Sequence, residues 1–153
     1  MADTSLITLE DDLERLVKEI NQAAWDERNE MTAYDAISLA AYLARQDTVF
    51  VACHEGSGSD RTLLGIASGR LEIKPYDLER WLYVDEVDVC ADQRRKGAGK
   101  AIMTFLLELA DDMECEEVWL GTEVDNDAAN ALYRSLDPDD VGDVVGYTWE
   151  LDD

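Results

Sequence analysis

The chain has 153 residues, with 36 acidic and 13 basic side chains and a formal net charge of −23 at pH 7. Domains cluster at about 100–150 residues, so we expect a single domain over 1-153. Four Trp and six Tyr within a 46% hydrophobic composition exclude an acidic disordered polymer. The negative charge argues against nucleic acid or an anionic membrane surface as a partner, because phosphates require faces rich in Lys and Arg.

The acidic excess has two explanations that the sequence leaves open. It is typical of a halophilic-like surface adapted to concentrated salt, and it also favours a cationic or amine-bearing ligand. Three cysteines without paired spacing and a single histidine predict neither a disulfide framework nor a metal centre. The N-terminal residues lack the regions of a signal peptide, and no apolar run approaches the ~20 residues that span a bilayer. We therefore expect a cytoplasmic protein.

The hydrophobic pattern alternates between helix and strand signals along the chain. The run from Leu13 to Ile20 has the 3.6-residue period of a helix, whereas 48–53 is β-branched and apolar and predicts a strand. The predicted elements are strands over 6–9, 48–53, 63–73, 81–90, 118–122 and 144–151, and helices over 13–20, 32–45, 126–136 and directly after 100. This order, β-α-α-β-β-β-α-β-α-β, predicts a mixed α/β domain with one central sheet.

One short segment is basic in an otherwise acidic chain. The segment 94–100 holds four of the 13 positive charges, together with two glycines, at the predicted start of a helix. Helix N–H groups, close backbone approach at glycine and basic side chains together predict an anion site. A Walker phosphate loop is excluded, since Ala101 follows Lys100 where Ser or Thr is required, and Ile102 breaks the dinucleotide motif GxGxxG. An ordinary glycine turn with solubilising charge is the alternative.

The same segment resembles a family signature. Arg94-Arg95-Lys96-Gly97-Ala98-Gly99 is similar to the Arg/Gln-x-x-Gly-x-Gly/Ala motif of the GNAT family of N-acetyltransferases, in which this loop wraps the pyrophosphate of acetyl-CoA. As in the family, the motif follows a strand, here ending Val87-Asp88-Val89, and opens a helix. A second segment, from Asn126 to Leu136, resembles the family's Asn-x-x-Ala-x-x-Leu-Tyr-x-x-Leu-Gly pattern. It departs from that pattern at Asp137, where glycine is usual.

The resemblance implies a fold and a cosubstrate. The implied fold is a central, mostly antiparallel mixed sheet flanked by helices, and the order of predicted elements fits it over most of the chain. The implied cosubstrate is acetyl-CoA, with no metal. A finer similarity, in 83–89 and 131–133, is to the aminoglycoside 3-N-acetyltransferase subgroup.

The resemblance also implies roles for individual residues. The backbone of Val87 and Val89 would hold the pantetheine arm and the acetyl carbonyl, and Tyr133 would be the general acid for the departing thiolate. Asn126 would contact the cofactor arm or cap its own helix, and both roles stay open. The residues expected to carry the pyrophosphate are Arg94, Arg95, Lys96, Gly97, Ala98, Gly99 and Lys100.

Acetyl transfer to an amine also requires a carboxylate that accepts the amine proton. We favour Glu86 for this catalytic role, followed by Asp88 and Asp85, because acidic residues inside a central strand need an explanation. In a regular strand 86 and 88 share a face and 85 points oppositely, although a bulge would alter this. The alternative for each is a solvated surface acid. Cys90 is disfavoured as a covalent nucleophile, since buried cysteine is ordinarily a small hydrophobe.

The resemblance, together with the basic segment and the acidic strand before it, implies direct acetyl transfer from acetyl-CoA to a primary amine. The expected acceptor is a small molecule, such as an aminoglycoside or a polyamine-like amine. The alternatives are a protein N-terminus or lysine as acceptor, and a non-catalytic regulatory module that binds coenzyme A. A homodimer through edge or terminal strands is compatible with the sequence.

Overall fold

A computed structural model of the protein describes residues 1–26 and 31–151. The chain forms two compact units that divide after Leu120. The first unit contains all the strands and three α-helices of the described chain, and the second contains one α-helix. The expectation of one domain over 1-153 stays a prediction.

The first unit is built on a five-stranded mixed sheet. Its strands are β1 (Ala2–Leu6), β2 (Thr48–Glu55), β3 (Thr62–Ile73), β4 (Arg80–Val89) and β5 (Glu117–Leu120). The helices are α1 (Leu13–Gln22), α2 (Ala36–Leu43) and α3 (Ala98–Asp112), with α4 (Asp127–Arg134) in the second unit. The sheet order is β1-β2-β3-β4-β5, antiparallel except for the parallel pair β4 and β5. The predicted mixed α/β fold with a mostly antiparallel central sheet is confirmed.

Helices cover both faces of this sheet. On one face, α1 and α2 pack against Phe50, Ala52 and Ile66. The neighbouring residue in β3, Gly65, faces α3, because a Cβ added to it would lie 3.0 Å from Ile102 Cδ1. Adjacent strand residues point to opposite faces, so α1 and α2 lie on one side of the sheet and α3 lies on the other. We call these surfaces the α1/α2 face and the α3 face. None of the described helices is long and apolar enough to cross a membrane.

Two elements begin at different places from those predicted. The first strand covers Ala2–Leu6 rather than 6–9, because this stretch pairs antiparallel with β2 and the chain turns at Thr8. The second helix begins after Asp35 rather than near 32, because the Asp35 carboxylate accepts a hydrogen bond from a first-turn N–H at 3.4 Å. Strand pairing sets the position of β1, and helix capping sets the start of α2. Hydrophobic periodicity carries no information on either kind of contact.

The predicted final strand over 144–151 was wrong. In the described part of the chain the sheet ends with β5, and 144–151 forms no ladder. Its large apolar side chains, among them Val145, Tyr147 and Trp149, are exposed. Aromatic and β-branched residues favour a strand only where a paired neighbour and a buried face are present. The sequence shows that 144–151 has residue types that favour a strand, but it does not show that the segment lacks a strand to pair with.

A β-bulge in β4 decides which side chains reach each face. Two successive residues of β3 pair with Val84 and Glu86, so Asp85 is an extra residue without a partner in β3. An extra residue shifts the alternation of side chains by one position. Tyr83 and Glu86 therefore share a face that a regular strand would not let them share. The shared face is the α1/α2 face. Ile66 lies on that face and pairs in register with Asp88, and Glu86 is two residues before Asp88 on the same side of β4.

We predict that Gly65→Ala lowers the free energy of unfolding by about 1–3 kcal/mol. The added Cβ would lie 2.7 Å from the Asp88 carbonyl oxygen and 3.0 Å from Ile102 Cδ1. Gly142→Ala is the matched control, because nothing lies within 4 Å of a Cβ added there. Urea denaturation of both variants measures the difference. Equal stabilities would contradict the tight packing of α3 on β3.

The acidic side chains lie mostly at the surface. Among the described residues, Asp88 is the one acidic side chain that is buried. Like charges at such a net excess repel one another and destabilise the compact state, and dissolved salt screens that repulsion.

We therefore predict that the free energy of unfolding rises as NaCl increases from low to molar concentration. Activity should accordingly be retained in molar salt and lost at low salt. Urea titrations at several NaCl concentrations, with rate measurements on the same samples, test this. A protein that is equally stable at both extremes would contradict the interpretation of the surface as salt-adapted.

Candidate functional site

Two carboxylates lie on the α1/α2 face just beyond the bulge of β4. Glu86 and Asp88, which we call the carboxylate pair, share this face as predicted. Asp85 was expected on the opposite face of a regular strand. The bulge changes its position, and its carboxylate forms an ion pair with Arg70 at 3.1 Å. The structure therefore separates Asp85, which is neutralised by a cation, from the two acids that follow it.

The two members of the carboxylate pair have different environments. Asp88 is 8% exposed, and its burial, together with the negative charge of Glu86, raises its pKa to about 6. Glu86 is exposed. Within residues 1–26 and 31–151, no basic side chain forms an ion pair with either carboxylate. A buried acid without an ion pair is an energetically costly arrangement, which is typical of a site that receives a cation or a proton.

Tyr34 lies close to the carboxylate pair from the segment that precedes α2. Burial, followed by the charges of Glu86 and Asp88, raises its pKa to about 12, so the phenol keeps its proton. The Asn21 side chain holds this residue by its backbone: its Nδ2 donates to the Tyr34 carbonyl at 2.9 Å, and its Oδ1 accepts from the Tyr34 N–H at 2.8 Å. Tyr34 carries no local sequence signal of a functional role, because only tertiary contacts bring it near β4.

An open cleft of about 290 Å³ lies between the α2 region and the sheet. It reaches Ser68, which pairs in register with Glu86 and shares its face. The cleft is therefore next to the bulge and the carboxylate pair. Its lining residues are Thr32, Ala33, Tyr34, Asp35, Ser38, Leu39, Tyr42, Phe50 and Ser68. This mixture of aromatic rings and hydroxyls with nearby carboxylates suits a small cationic molecule.

The segment 94–100, which we call the basic loop, has the backbone geometry of an anion site. Arg95 and Gly97 have φ of 68° and 77°, in the left-handed region, and α3 begins directly after Gly97. Among the described residues, none accepts a hydrogen bond from the backbone N–H groups of 94–100. Free N–H groups at the start of a long helix favour a phosphate oxygen. The loop therefore fits the pyrophosphate of the implied cosubstrate.

The basic side chains of this loop are not equivalent. Arg94 forms an ion pair with Asp26, and Lys96 forms one with Glu55 at 3.4 Å. Arg95 and Lys100 are exposed, and in the described part of the chain neither forms an ion pair. These two side chains are therefore the ones available to an incoming anion.

The strand β4 also presents a free backbone edge. Its parallel ladder with β5 runs from Trp81 to Val84 and stops where β5 ends, at Leu120. Beyond the bulge, β4 continues to Val89, while β3 pairs with it on the other side. The β5-side edge at 85–89 thus has no strand partner among the described residues. Such an edge can hold an extended amide-containing chain by backbone hydrogen bonds, as the implied pantetheine arm requires.

Cys90 is unsuited to covalent catalysis. It is 1% exposed, its Sγ donates to the Leu63 carbonyl at 3.3 Å, and burial raises its pKa to about 12. A thiol that keeps its proton is a poor nucleophile. Cys90 is therefore disfavoured as a covalent nucleophile, as the sequence indicated.

The second unit contains the other two predicted site residues. Asn126 caps α4, since its Oδ1 accepts a hydrogen bond from the Ala129 N–H at 3.2 Å. This supports the capping role and leaves the cofactor contact as a prediction. Tyr133 lies in α4, and its role as general acid stays a prediction. Asp137, where the family has glycine, adopts a φ of 54°, a left-handed conformation that aspartate tolerates better than most residues. The helix end required by the pattern is thus formed without glycine.

The fold is similar to that of several solved structures. An aminoglycoside acetyltransferase from an uncultured soil metagenomic sample, in complex with sisomicin, superposes with a TM-score of 0.81 at 19% identity, over 99% of this chain and 97% of that chain. A ribosomal-protein-alanine N-acetyltransferase from Brucella melitensis biovar Abortus 2308 gives 0.69 at 20% identity, over 98% and 99%. A transcriptional regulator from Bacillus halodurans C-125 gives 0.76 at 14% identity, over 97% and 100%. At these identities the likeness shows the fold alone.

The sequence itself matches one family model. No curated protein sequence matches the chain significantly. The model of the acetyltransferase (GNAT) family matches residues 12–137, which include the bulged strand, the basic loop and α4. This match covers most of the chain, and the five-stranded mixed sheet agrees with it. The chain therefore belongs to the acetyltransferase (GNAT) family.

Proposed function

We propose that the protein transfers the acetyl group of acetyl-CoA directly to a primary amine of a small molecule, such as an aminoglycoside or a polyamine-like amine. The observation that carries the proposal is the buried Asp88 carboxylate, with a pKa of about 6, beside Glu86 and next to an open cleft. The strand that holds this proton acceptor ends a few residues before the basic loop. Family membership supports acetyl-CoA as the donor.

Acetyl-CoA would supply the activated acetyl group as a thioester. Arg95, Lys100 and the free N–H groups of the basic loop would hold its pyrophosphate by charge-assisted hydrogen bonds. The free edge of β4, at Val87 to Val89, would hold the pantetheine arm. An N–H group at this edge would also stabilise the negative charge that develops on the carbonyl oxygen during attack.

The carboxylate pair would act on the acceptor amine. The amine arrives as an ammonium ion, which two neighbouring carboxylates attract. Asp88 then accepts the proton, directly or through water, because its raised pKa makes it a stronger base than an ordinary aspartate while it stays ionised at neutral pH. The sequence alone favoured Glu86 as the base. The burial of Asp88 leads us to assign the proton to Asp88 and the holding of the ammonium to the exposed Glu86.

The thiolate that leaves after attack needs a proton. We retain Tyr133 for this step on the strength of the family pattern. A tyrosine with a pKa of about 10 gives its proton slightly uphill to a thiolate of about 8.5, so the transfer is workable in a tuned site.

Thiol release from acetyl-CoA, measured with a panel of amines, tests the proposed function. The panel contains aminoglycosides, polyamines and a peptide with a free N-terminus. We expect turnover with the small amines. Tight binding of coenzyme A without turnover of any amine would favour the regulatory module, and turnover of the peptide alone would favour protein acetylation.

We predict that Asp88→Asn lowers kcat/KM at neutral pH by about 100-fold or more, the usual contribution of a general base. For the wild-type protein, kcat/KM should rise with pH through about 6, as the Asp88 carboxyl loses its proton. This step should be absent from the variant. Asp112→Asn, at the exposed end of α3, is the control and should keep the wild-type profile.

The companion variant Glu86→Gln should raise the KM for the amine. It should also move the acidic step of the profile to lower pH, because the charge of Glu86 helps to raise the pKa of Asp88. An undiminished rate for Asp88→Asn at neutral pH would remove Asp88 from the role of base.

We predict that replacing both Arg95 and Lys100 by Ala weakens coenzyme A binding by about 100-fold. Each charge-assisted hydrogen bond contributes about 1.5–3 kcal/mol, and 1.4 kcal/mol is a factor of ten. Arg94→Ala should have a smaller effect, because that guanidinium already pairs with Asp26. Lys18→Ala, exposed on α1, is the control for the loss of one positive charge and matches Arg94→Ala. Calorimetry at the lowest salt concentration at which the wild-type protein stays folded measures all four proteins. An affinity of the double variant equal to that of wild type would contradict the assignment of the basic loop.

A further inference from the structure

Three aromatic rings lie on the α1/α2 face at the other end of β4. Trp81 stacks on Tyr83 with ring centroids 5.9 Å apart, and Tyr83 lies 5.9 Å from Trp119. Tyr83 and Trp119 pair in register across β4 and β5, so their side chains share a face. Trp119 is 40% exposed. We call these three residues the aromatic platform. Because of the bulge, the platform and the carboxylate pair lie on the same face of one strand.

The aromatic platform already holds one ammonium group. The Nζ of Lys74 lies 4.1 Å from the ring centroid of Trp81 and 4.9 Å from that of Tyr83, and it donates to the Tyr83 hydroxyl. Lys74 follows the end of β3, and its backbone is fixed by a hydrogen bond from its N–H to the Glu79 carbonyl at 2.7 Å. Its long side chain bends over the rings. The rings therefore have the geometry that binds a cation by its attraction to aromatic faces.

Carboxylates surround this platform. Glu79 accepts a hydrogen bond from the Trp81 indole at 3.3 Å, and Arg70 forms ion pairs with both Glu72, at 2.7 Å, and Asp85, at 3.1 Å. Together with Glu86 and Asp88, five carboxylates face two cations, Arg70 and Lys74. The surface from the platform to the carboxylate pair thus carries an excess of negative charge. It is complementary to a molecule with several positive groups.

We propose that the aromatic platform is a second subsite for the acceptor, which binds a second ammonium group of the same molecule. This inference rests on the proposed function, since the first ammonium is the one that meets the carboxylate pair. Tyr83 and Trp81 pair with Arg70 and Glu72 of β3, which lie two and four residues from Ser68, the partner of Glu86. The ammonium position between the two rings is therefore about 7–13 Å from Glu86 along the sheet. The favoured acceptors are therefore amines with two ammonium groups separated by about that distance. The incoming ammonium takes the position of the Lys74 ammonium, which moves into solvent.

The test compares 1,8-diaminooctane with octylamine, which has the same carbon chain and one ammonium group. We expect the KM of the diamine to be about 2- to 30-fold lower, the range that exposed and desolvated cation–aromatic contacts give, with the wild-type protein toward the low end because the diamine must displace Lys74. Trp81→Leu should abolish this preference. Lys74→Met should strengthen it, because the internal competitor is removed. Tyr76→Ala, exposed on the same hairpin, is the control and should keep the wild-type preference.

Titration of tryptophan fluorescence with the two amines, without acetyl-CoA, separates this inference from the proposed function. The titration gives the Kd of each amine. A Kd of the diamine that is higher in Trp81→Leu and lower in Lys74→Met than in the wild-type protein supports the subsite even if no acetyl transfer occurs. Equal KM values for the two amines in the wild-type protein, Trp81→Leu and Lys74→Met overturn the subsite. In that case acetylation of both amines leaves the proposed function intact.

Discussion

The bulge at Asp85 is the constraint on which the candidate site depends. By adding one residue to β4, it brings Glu86 and Asp88 onto the face that carries Tyr83. In a regular strand the two carboxylates would lie on the α3 face, where burial without partners is costly. The ladder with β5 also stops at Val84, immediately before the bulge, so the following backbone edge stays free. One irregularity of the backbone therefore arranges both the side chains that we propose for the acceptor and the edge that we propose for the cosubstrate.

The proposed function depends on opposite charges that lie close together in sequence, namely the carboxylates of β4 and the cations of the basic loop. The net charge of −23 is spread over the surface and says little about a substrate. The informative features are local: one buried acid, Asp88, and a basic loop in which Arg95 and Lys100 lack partners among the described residues. An ammonium and a pyrophosphate have opposite requirements, and β4 with the loop after it offers a separate place to each.

The sequence predicted those features that depend on neighbouring residues. The periods of helices and strands, the glycines of the basic loop and the pattern from Asn126 to Leu136 are local, and they identified the fold and the family. Features that depend on pairing were out of reach. The bulge at Asp85 and the approach of Tyr34 to Asp88 follow from contacts between segments that are distant in sequence. The stretch 144–151 forms no ladder because no strand pairs with it among the described residues. Composition reveals which residues favour a strand, but not whether a partner is present.

The central claim is that the fold keeps Asp88 buried with a raised pKa beside Glu86, ready to accept a proton. A titration of the aspartate side-chain carboxyl carbons by NMR tests it most directly. We expect an aspartate signal that titrates near pH 6 and that is absent from the Asp88→Asn variant. If every aspartate titrated near the ordinary value of 3.8, the account of this site would be contradicted.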